Sequence, residues 1–141
     1  MLNRVIFYTL EKTIKRYRQF AQNNIDRAGV DITIDQWLVL NILQESPTLG
    51  QLEIAERVFK DQASIARIMN LLEKKELLIQ TASKQDRRRV DRLITPKGEE
   101  LLRAVSPIVA QNRRTALQGL SDEAIEQLRQ TLTIIDENCQ V

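Results

Sequence analysis

Histidine is absent from this 141-residue chain, and cysteine occurs once, at Cys139. The first absence removes the commonest metal ligand and the usual general base at neutral pH. The second excludes an internal disulfide framework and a thiolate metal cluster. Cys139 reads as an incidental thiol, with oxidant sensing as the other reading. Aromatic residues make up 4% of the chain, too few for a row of platforms that stack single-stranded bases. The four glycines stand singly, at 29, 50, 98 and 119, so no glycine-rich loop cradles a phosphate. No apolar run approaches a membrane span. The N-terminus shows no signal-peptide pattern, because Arg4, Glu11 and Lys12 flank only a few apolar residues. These absences disfavour an enzyme and leave no metal or cofactor to expect. A soluble, cytoplasmic protein without a membrane partner is the expectation.

Aliphatic residues are plentiful, and the chain is 43% hydrophobic, enough for the core of one domain spanning 1–141. Apolar residues at three- and four-residue steps predict a long first helix over 2–28: Leu2, Val5, Ile6, Leu10, Ile14, Tyr17, Phe20, Ala21 and Ile25. Gly29 stops it. Asp35 reads as the N-cap of a second helix, 36–46, burying Trp37, Leu38, Leu40 and Leu43, with Ile42 as an uncertain fifth. A short third helix covers about 50–58, with Leu52, Ala55 and Val58 inward. Lys60 and Asp61 form a turn, and Asp61 caps a fourth helix over 62–76. Two extended segments, 77–81 and 90–94, flank a polar turn and predict a hairpin. Thr95 caps a fifth helix with Pro96 at its first position, running to about 118 with Pro107 inside. Ser121 caps a sixth, striped by Ile125, Leu128, Leu132 and Ile135.

The fold class is therefore mainly α with a small β-hairpin. The fourth helix puts Ile65, Ile68, Met69 and Leu72 on one face and Ala63, Arg67, Asn70 and Lys74 on the opposite one. A short helix followed by an amphipathic one is a helix-turn-helix. The hairpin after it is cationic: residues 84–92 hold five positive side chains and two negative ones, in a chain of net charge only +2. Concentrated positive charge on a near-neutral domain suits contact with a nucleic-acid groove. The first, fifth and sixth helices carry more apolar stripe than this small core can cover. A second copy is the simplest partner for them.

Several segments together resemble the MarR family of bacterial transcription regulators. Ile34-Asp35-Gln36-Trp37-Leu38-Val39-Leu40 is similar to the opening of that family's DNA-binding lobe. Gln51-Leu52-Glu53-Ile54-Ala55-Glu56-Arg57 resembles the first helix of its helix-turn-helix, and the run from Ile65 to Leu78 its recognition helix. Asp86-Arg87-Arg88 followed by Leu93-Ile94-Thr95-Pro96-Lys97-Gly98 matches its wing signature, and Gly119-Leu120-Ser121-Asp122-Glu123 the break before its last helix. Gly50 departs from the Ser or Thr often found there. The missing N-terminal cysteine and the missing histidine set the chain apart from peroxide-sensing and zinc-responsive members. A nearly absent arm before the first helix puts arm-mediated dimer contacts in doubt.

The resemblance implies a winged helix-turn-helix, 34–95, carried by dimerisation helices 1–28 and 97–141. Its implied work is transcription regulation by a homodimer on a pseudo-palindromic double-stranded operator, more readily as a repressor. The interface would draw on Ile6, Leu10, Ile14, Leu117, Leu128, Leu132 and Ile135. In the recognition helix, Arg67 has the donors to read guanine, Asn70 to read adenine or hold a phosphate, and Ala63 permits close approach. Gln62 and Ser64 lie where a helix N-terminus favours phosphate, and Lys74 shares the outer face. The bland alternative is a solvated helix face. In the wing, Arg88 matches the arginine that family members insert into the minor groove, with Lys84, Arg87 and Arg89 against phosphates. Hairpin register leaves open which arginine enters. Asp86 is expected to tie down an arginine and shape the turn. The family also implies a small amphipathic or phenolic effector near Tyr17, Phe20 and Trp37, which otherwise read as ordinary core residues. The alternative function is a winged-helix protein-interaction module that reads no DNA sequence.

Overall fold

A computed structural model describes residues 1–141. A single 3-10 turn, Leu2–Arg4, precedes α1 (Ile6–Arg27). Then come α2 (Ile34–Glu45), α3 (Gln51–Arg57), α4 (Gln62–Lys74), β1 (Leu78–Ala82), β2 (Val90–Ile94), α5 (Pro96–Ala116) and α6 (Asp122–Asn138). The predicted first helix therefore breaks at Val5, whose backbone is extended. No side chain caps the start of α1.

Local hydrogen-bond chemistry sets most of the ends. Asp61, Thr95 and Ser121 each accept the backbone N–H three residues on, from Ser64, Gly98 and Ala124. The start of α2 differs from expectation. Thr33 is the N-cap, in a reciprocal capping box with Gln36, and Asp35 lies inside the first turn. A box satisfies two backbone donors, where a cap by Asp35 would satisfy one. In α3 the inward residues are Ile54, Ala55 and Val58, while Leu52 points to solvent. In α2, Val39, Leu40 and Leu43 are buried, while Trp37, Leu38 and Ile42 are only partly covered.

Four helices are followed by a residue in the left-handed region, Gly119 after α5 among them at φ 88°. Gly29 closes α1 at φ 76°, where glycine bears no Cβ penalty. Phe59 closes α3 at φ 61° and Glu76 closes α4 at φ 64°. Both carry paired Schellman bonds: Phe59 N–H to Glu56 O with Lys60 N–H to Ala55 O, and Glu76 N–H to Glu73 O with Leu77 N–H to Leu72 O. A non-glycine residue pays roughly 1–2 kcal/mol for this conformation. The Schellman turn through Glu76 ends α4 at Lys74, two residues before its expected limit at 76, and directs the chain into β1.

The core runs from Ile25 and Ile32 through Val39, Leu40, Leu43, Ile54, Ala55, Val58, Ile65, Met69, Leu72, Leu77 and Leu78 to Leu102 and Val105. It belongs almost wholly to the central lobe. Gly98 lets the start of α5 close on this lobe. A Cβ there would press into the Leu77 carbonyl oxygen and lie 2.7 Å from Ile94 Cγ2. Gly98→Ala should lower unfolding stability by about 1–3 kcal/mol, since backbone cannot yield as a side chain can. Urea titration of the purified variant checks this, and an unchanged midpoint would refute the close approach.

Outside the lobe the packing changes character. α1 meets α5 along its C-terminal half, with Ala21 and Ile25 buried. The buried Asn112 accepts from Asn24 at 2.8 Å and donates to the Ala21 carbonyl. No residue of α6 is buried. Ile6, Phe7, Tyr8, Ile14, Leu128, Leu132 and Ile134 stand exposed, and Leu10, Leu117 and Ile135 half-exposed.

Candidate nucleic-acid interface

α3 and α4 form the helix-turn-helix, and the β1–β2 hairpin follows α4 directly. Gln62, Ala63, Arg67, Asn70 and Lys74 are exposed along one side of α4, while Ile65, Met69 and Leu72 face the core. At its N-terminus the side chains are already organised. Both Asp61 oxygens are used, one by the Ser64 N–H at 2.7 Å and the other by the Ser64 hydroxyl at 3.1 Å. These bonds, the backbone one foremost, hold the Asp61 carboxyl below its ordinary range. The cap is complete at neutral pH and is lost only as pH falls through that lowered value. Ser64 Oγ in turn accepts from Arg67 Nη2 at 3.1 Å. Ser64 is thus committed to the cap and to orienting Arg67, rather than standing free at the helix end.

The hairpin pairs antiparallel with Leu78 opposite Ile94, Gln80 opposite Arg92 and Ala82 opposite Val90. Its tip spans 83–89, closed by Ser83 N–H to Arg89 O. Asp86 does shape the turn, but through backbone: its carboxylate accepts the Arg88 N–H at 3.0 Å, and its carbonyl accepts the Arg89 N–H at 3.0 Å. The expected pairing of Asp86 with an arginine side chain is absent. A two-residue reach suits a local Asx bond better than a folded-back guanidinium. Lys84, Arg87, Arg88 and Arg89 are therefore exposed and without acidic partners. Four uncompensated cations at one tip are held together only by the chain.

Arg92 behaves differently from the other wing cations. It lies on the sheet face shared by Leu78, Gln80 and Ile94, and its Nε donates to Gln80 Oε1 at 3.2 Å. Burial pushes its guanidinium down from the usual range, without discharging it. Gln80 Nε2 donates onward to Glu73 Oε2 at 3.1 Å and Asn70 Oδ1 at 3.4 Å. This chain fastens the wing to the C-terminal half of α4. It occupies the acceptor of Asn70 and leaves that residue's amide donors free. Neither Gln80 nor Glu73 was among the expected site residues. The period-two spacing of Val90, Arg92 and Ile94 was the available signal, since it puts Arg92 on the inner face.

Tyr17, Phe20 and Trp37 do not share one cavity. Tyr17 and Phe20 line a hollow of about 670 Å³ on α1, with Tyr8, Lys12 and Arg16. Trp37 lies in a separate cleft of about 310 Å³ between α2 and α5, beside Asn41, Arg103 and Arg113. No group of acidic, histidine or cysteine side chains has the geometry of a metal site. No helix is long and apolar enough to cross a membrane.

The family model that matches this chain is the MarR family, over residues 32–90. Those residues run from two positions before α2 to the first residue of β2. A probable transcriptional regulator from Pseudomonas aeruginosa is 28% identical, superposes with a TM-score of 0.84, and covers 96% of this chain and 99% of its own. The MepR–DNA complex of S. aureus is 25% identical with a TM-score of 0.81, covering 94% and 95%. CouR from Rhodococcus jostii RHA1, bound to p-coumaroyl-CoA, shares the fold at 21% identity and a TM-score of 0.83, covering 100% and 98%. The family model sits on the central lobe and the solved structures match nearly the whole length, so this chain is similar to the MarR family over that lobe and has the winged helix-turn-helix fold of those transcription regulators.

Proposed function

We propose that the protein is a homodimeric, sequence-specific double-stranded DNA-binding regulator, acting as a repressor on a pseudo-palindromic operator. The observation that carries this reading is the pairing of an exposed, preoriented Arg67 on α4 with four unpaired cations on the adjoining wing. Residues 34–95 would read DNA, and 1–28 with 97–141 would make the two-fold interface. Two copies of α4 would enter successive major grooves about 34 Å apart. Arg67 would read a guanine edge, with Gln62, Ala63, Asn70 and Lys74 alongside it. Arg88 or a neighbouring arginine would enter the minor groove, where narrow walls concentrate negative potential. The MepR–DNA complex supports this placement, as a relative of the same fold held on DNA.

A bound dimer excludes polymerase from the promoter it covers, hence repression. An amphipathic or phenolic effector would release it by changing the spacing of the two lobes. Each of the two hollows sets aromatic surface beside cationic side chains, Lys12 and Arg16 in one and Arg103 and Arg113 in the other. That chemistry suits a flat, anionic compound.

Selection of bound fragments from genomic DNA, followed by gel shifts against random duplex, tests the reading. A selected site should bind far more tightly than random duplex at physiological salt. Arg67→Ala should cost about 1–3 kcal/mol on that site and much less on random DNA. Equal loss on every sequence would remove the base-reading role. No binding to any duplex at low salt would favour the protein-interaction reading.

A further inference from the structure

The recognition helix is tied at both ends to one short segment, 31–36, which α1 in turn holds. At the near end, Lys60 precedes the Asp61 cap, and its Nζ lies 3.3 Å from Asp35 Oδ2. At the far end, Lys75 is the C-cap of α4, and its Nζ donates to the Asp31 carbonyl at 3.2 Å and to Gln36 Oε1 at 3.1 Å. The same segment is gripped from α1. Arg18 Nη2 donates to Asp35 Oδ1 at 2.6 Å. Gln22 donates to the Ile32 carbonyl and accepts the Ile34 N–H, both at 3.0 Å. Asp35 is free for this because Thr33, not Asp35, caps α2.

The polar anchors are therefore Arg18 and Gln22 on α1, Asp31 to Gln36 between, and Lys60 and Lys75 flanking α4. The geometry points to a positioning role for Asp35, Lys60 and Lys75: they set the angle of each recognition helix against the dimerisation helices, and so the half-site spacing a dimer accepts. This rests on the homodimeric DNA-binding reading above. Ion pairs with partly exposed members contribute little to stability, yet two attachments at opposite ends of a rigid rod fix its direction. A helix of 13 residues at about 1.5 Å per residue spans roughly 20 Å. A small tilt at one end therefore displaces the other by a base-pair step.

The test has a DNA-free arm and a DNA arm, both on the full chain. Spin labels on Ala63→Cys in a Cys139→Ser background report the distance between the two α4 N-termini of a dimer. The parent should give one narrow distance. Asp35→Asn, alone and with Lys75→Met, should broaden it, with dimer mass and thermal midpoint kept. Asp35→Glu should restore it. An equally narrow distribution in Asp35→Asn overturns the inference, whether or not the protein binds DNA. In the second arm, duplexes carrying the selected site with one base pair added or removed at its centre are compared. The parent's preference for its own spacing should fall about tenfold in Asp35→Asn, the scale of one lost base contact. Affinity for random duplex should hold or rise, since the substitution removes a negative charge. Unchanged spacing preference overturns the inference. Broadened distances with no duplex binding by the parent would uphold the positioning of α4 and overturn the DNA reading instead.

Discussion

Replacing Arg87, Arg88 and Arg89 together by alanine should reduce DNA affinity about 100-fold or more at moderate salt and flatten its salt dependence. Each neutralised phosphate releases condensed counterions, so removing three contacts lowers the log–log salt slope by about 2.7. These arginines are exposed and unpaired, and Asp86 holds the turn through backbone bonds that the substitution leaves in place. The hairpin should keep its shape and the melting temperature should hardly move. Fluorescence anisotropy across a salt series measures the slope. The single change Arg88→Ala should take more than its share of the loss on a site with a narrow minor groove, and an even share on random duplex. An unchanged slope in the triple variant would mean that the wing does not touch DNA.

The second large effect concerns α6. Its 17 residues carry a full apolar stripe, and none is buried within the chain. Most helical stability in proteins comes from packing an amphipathic face rather than from propensity. Burying a Leu or Ile side chain is worth roughly 1.5–3 kcal/mol. Leu128, Leu132, Ile6 and Ile14 are all exposed, so a second copy has ample area to cover. Leu128→Glu with Leu132→Glu should convert a dimer to a monomer in sedimentation equilibrium, and helical ellipticity should fall as α6 frays. DNA affinity should drop about 100- to 10,000-fold, because the second half-site no longer binds at high effective concentration. A variant that stayed dimeric with full helicity would place the interface elsewhere.

Part of the geometry of the candidate site was legible in the sequence and part was not. The outer face of α4 followed from a 100° step, which put Arg67, Asn70 and Lys74 opposite Ile65, Met69 and Leu72. The hairpin followed from two extended runs around a polar turn, and the strands fall within one residue of those limits. Ser64 and Asn70 were read as free surface groups. Their commitments arise from a cap carboxylate and from Gln80 on the next element, which a helical wheel does not include. Tyr17, Phe20 and Trp37 were grouped by residue type, but α1 and α2 carry them to different hollows.

The sequence alone determined the order of elements, three of the helix caps, the amphipathic face of the recognition helix and the cationic tip. Each depends on spacings of two to four residues, and short-range hydrogen bonds and side-chain periodicity obey the same geometry in any protein. Tertiary structure decided what Asp35 does, which arginine of the hairpin is tied to α4, and where Lys60 and Lys75 reach. Those contacts join residues 12 to 44 positions apart. They exist because packing of the lobe brings the elements together, and several polar partners of nearly equal strength compete for each flexible side chain. The missing histidine and the single cysteine bounded the chemistry from the outset; the fold chose among the charges that were left.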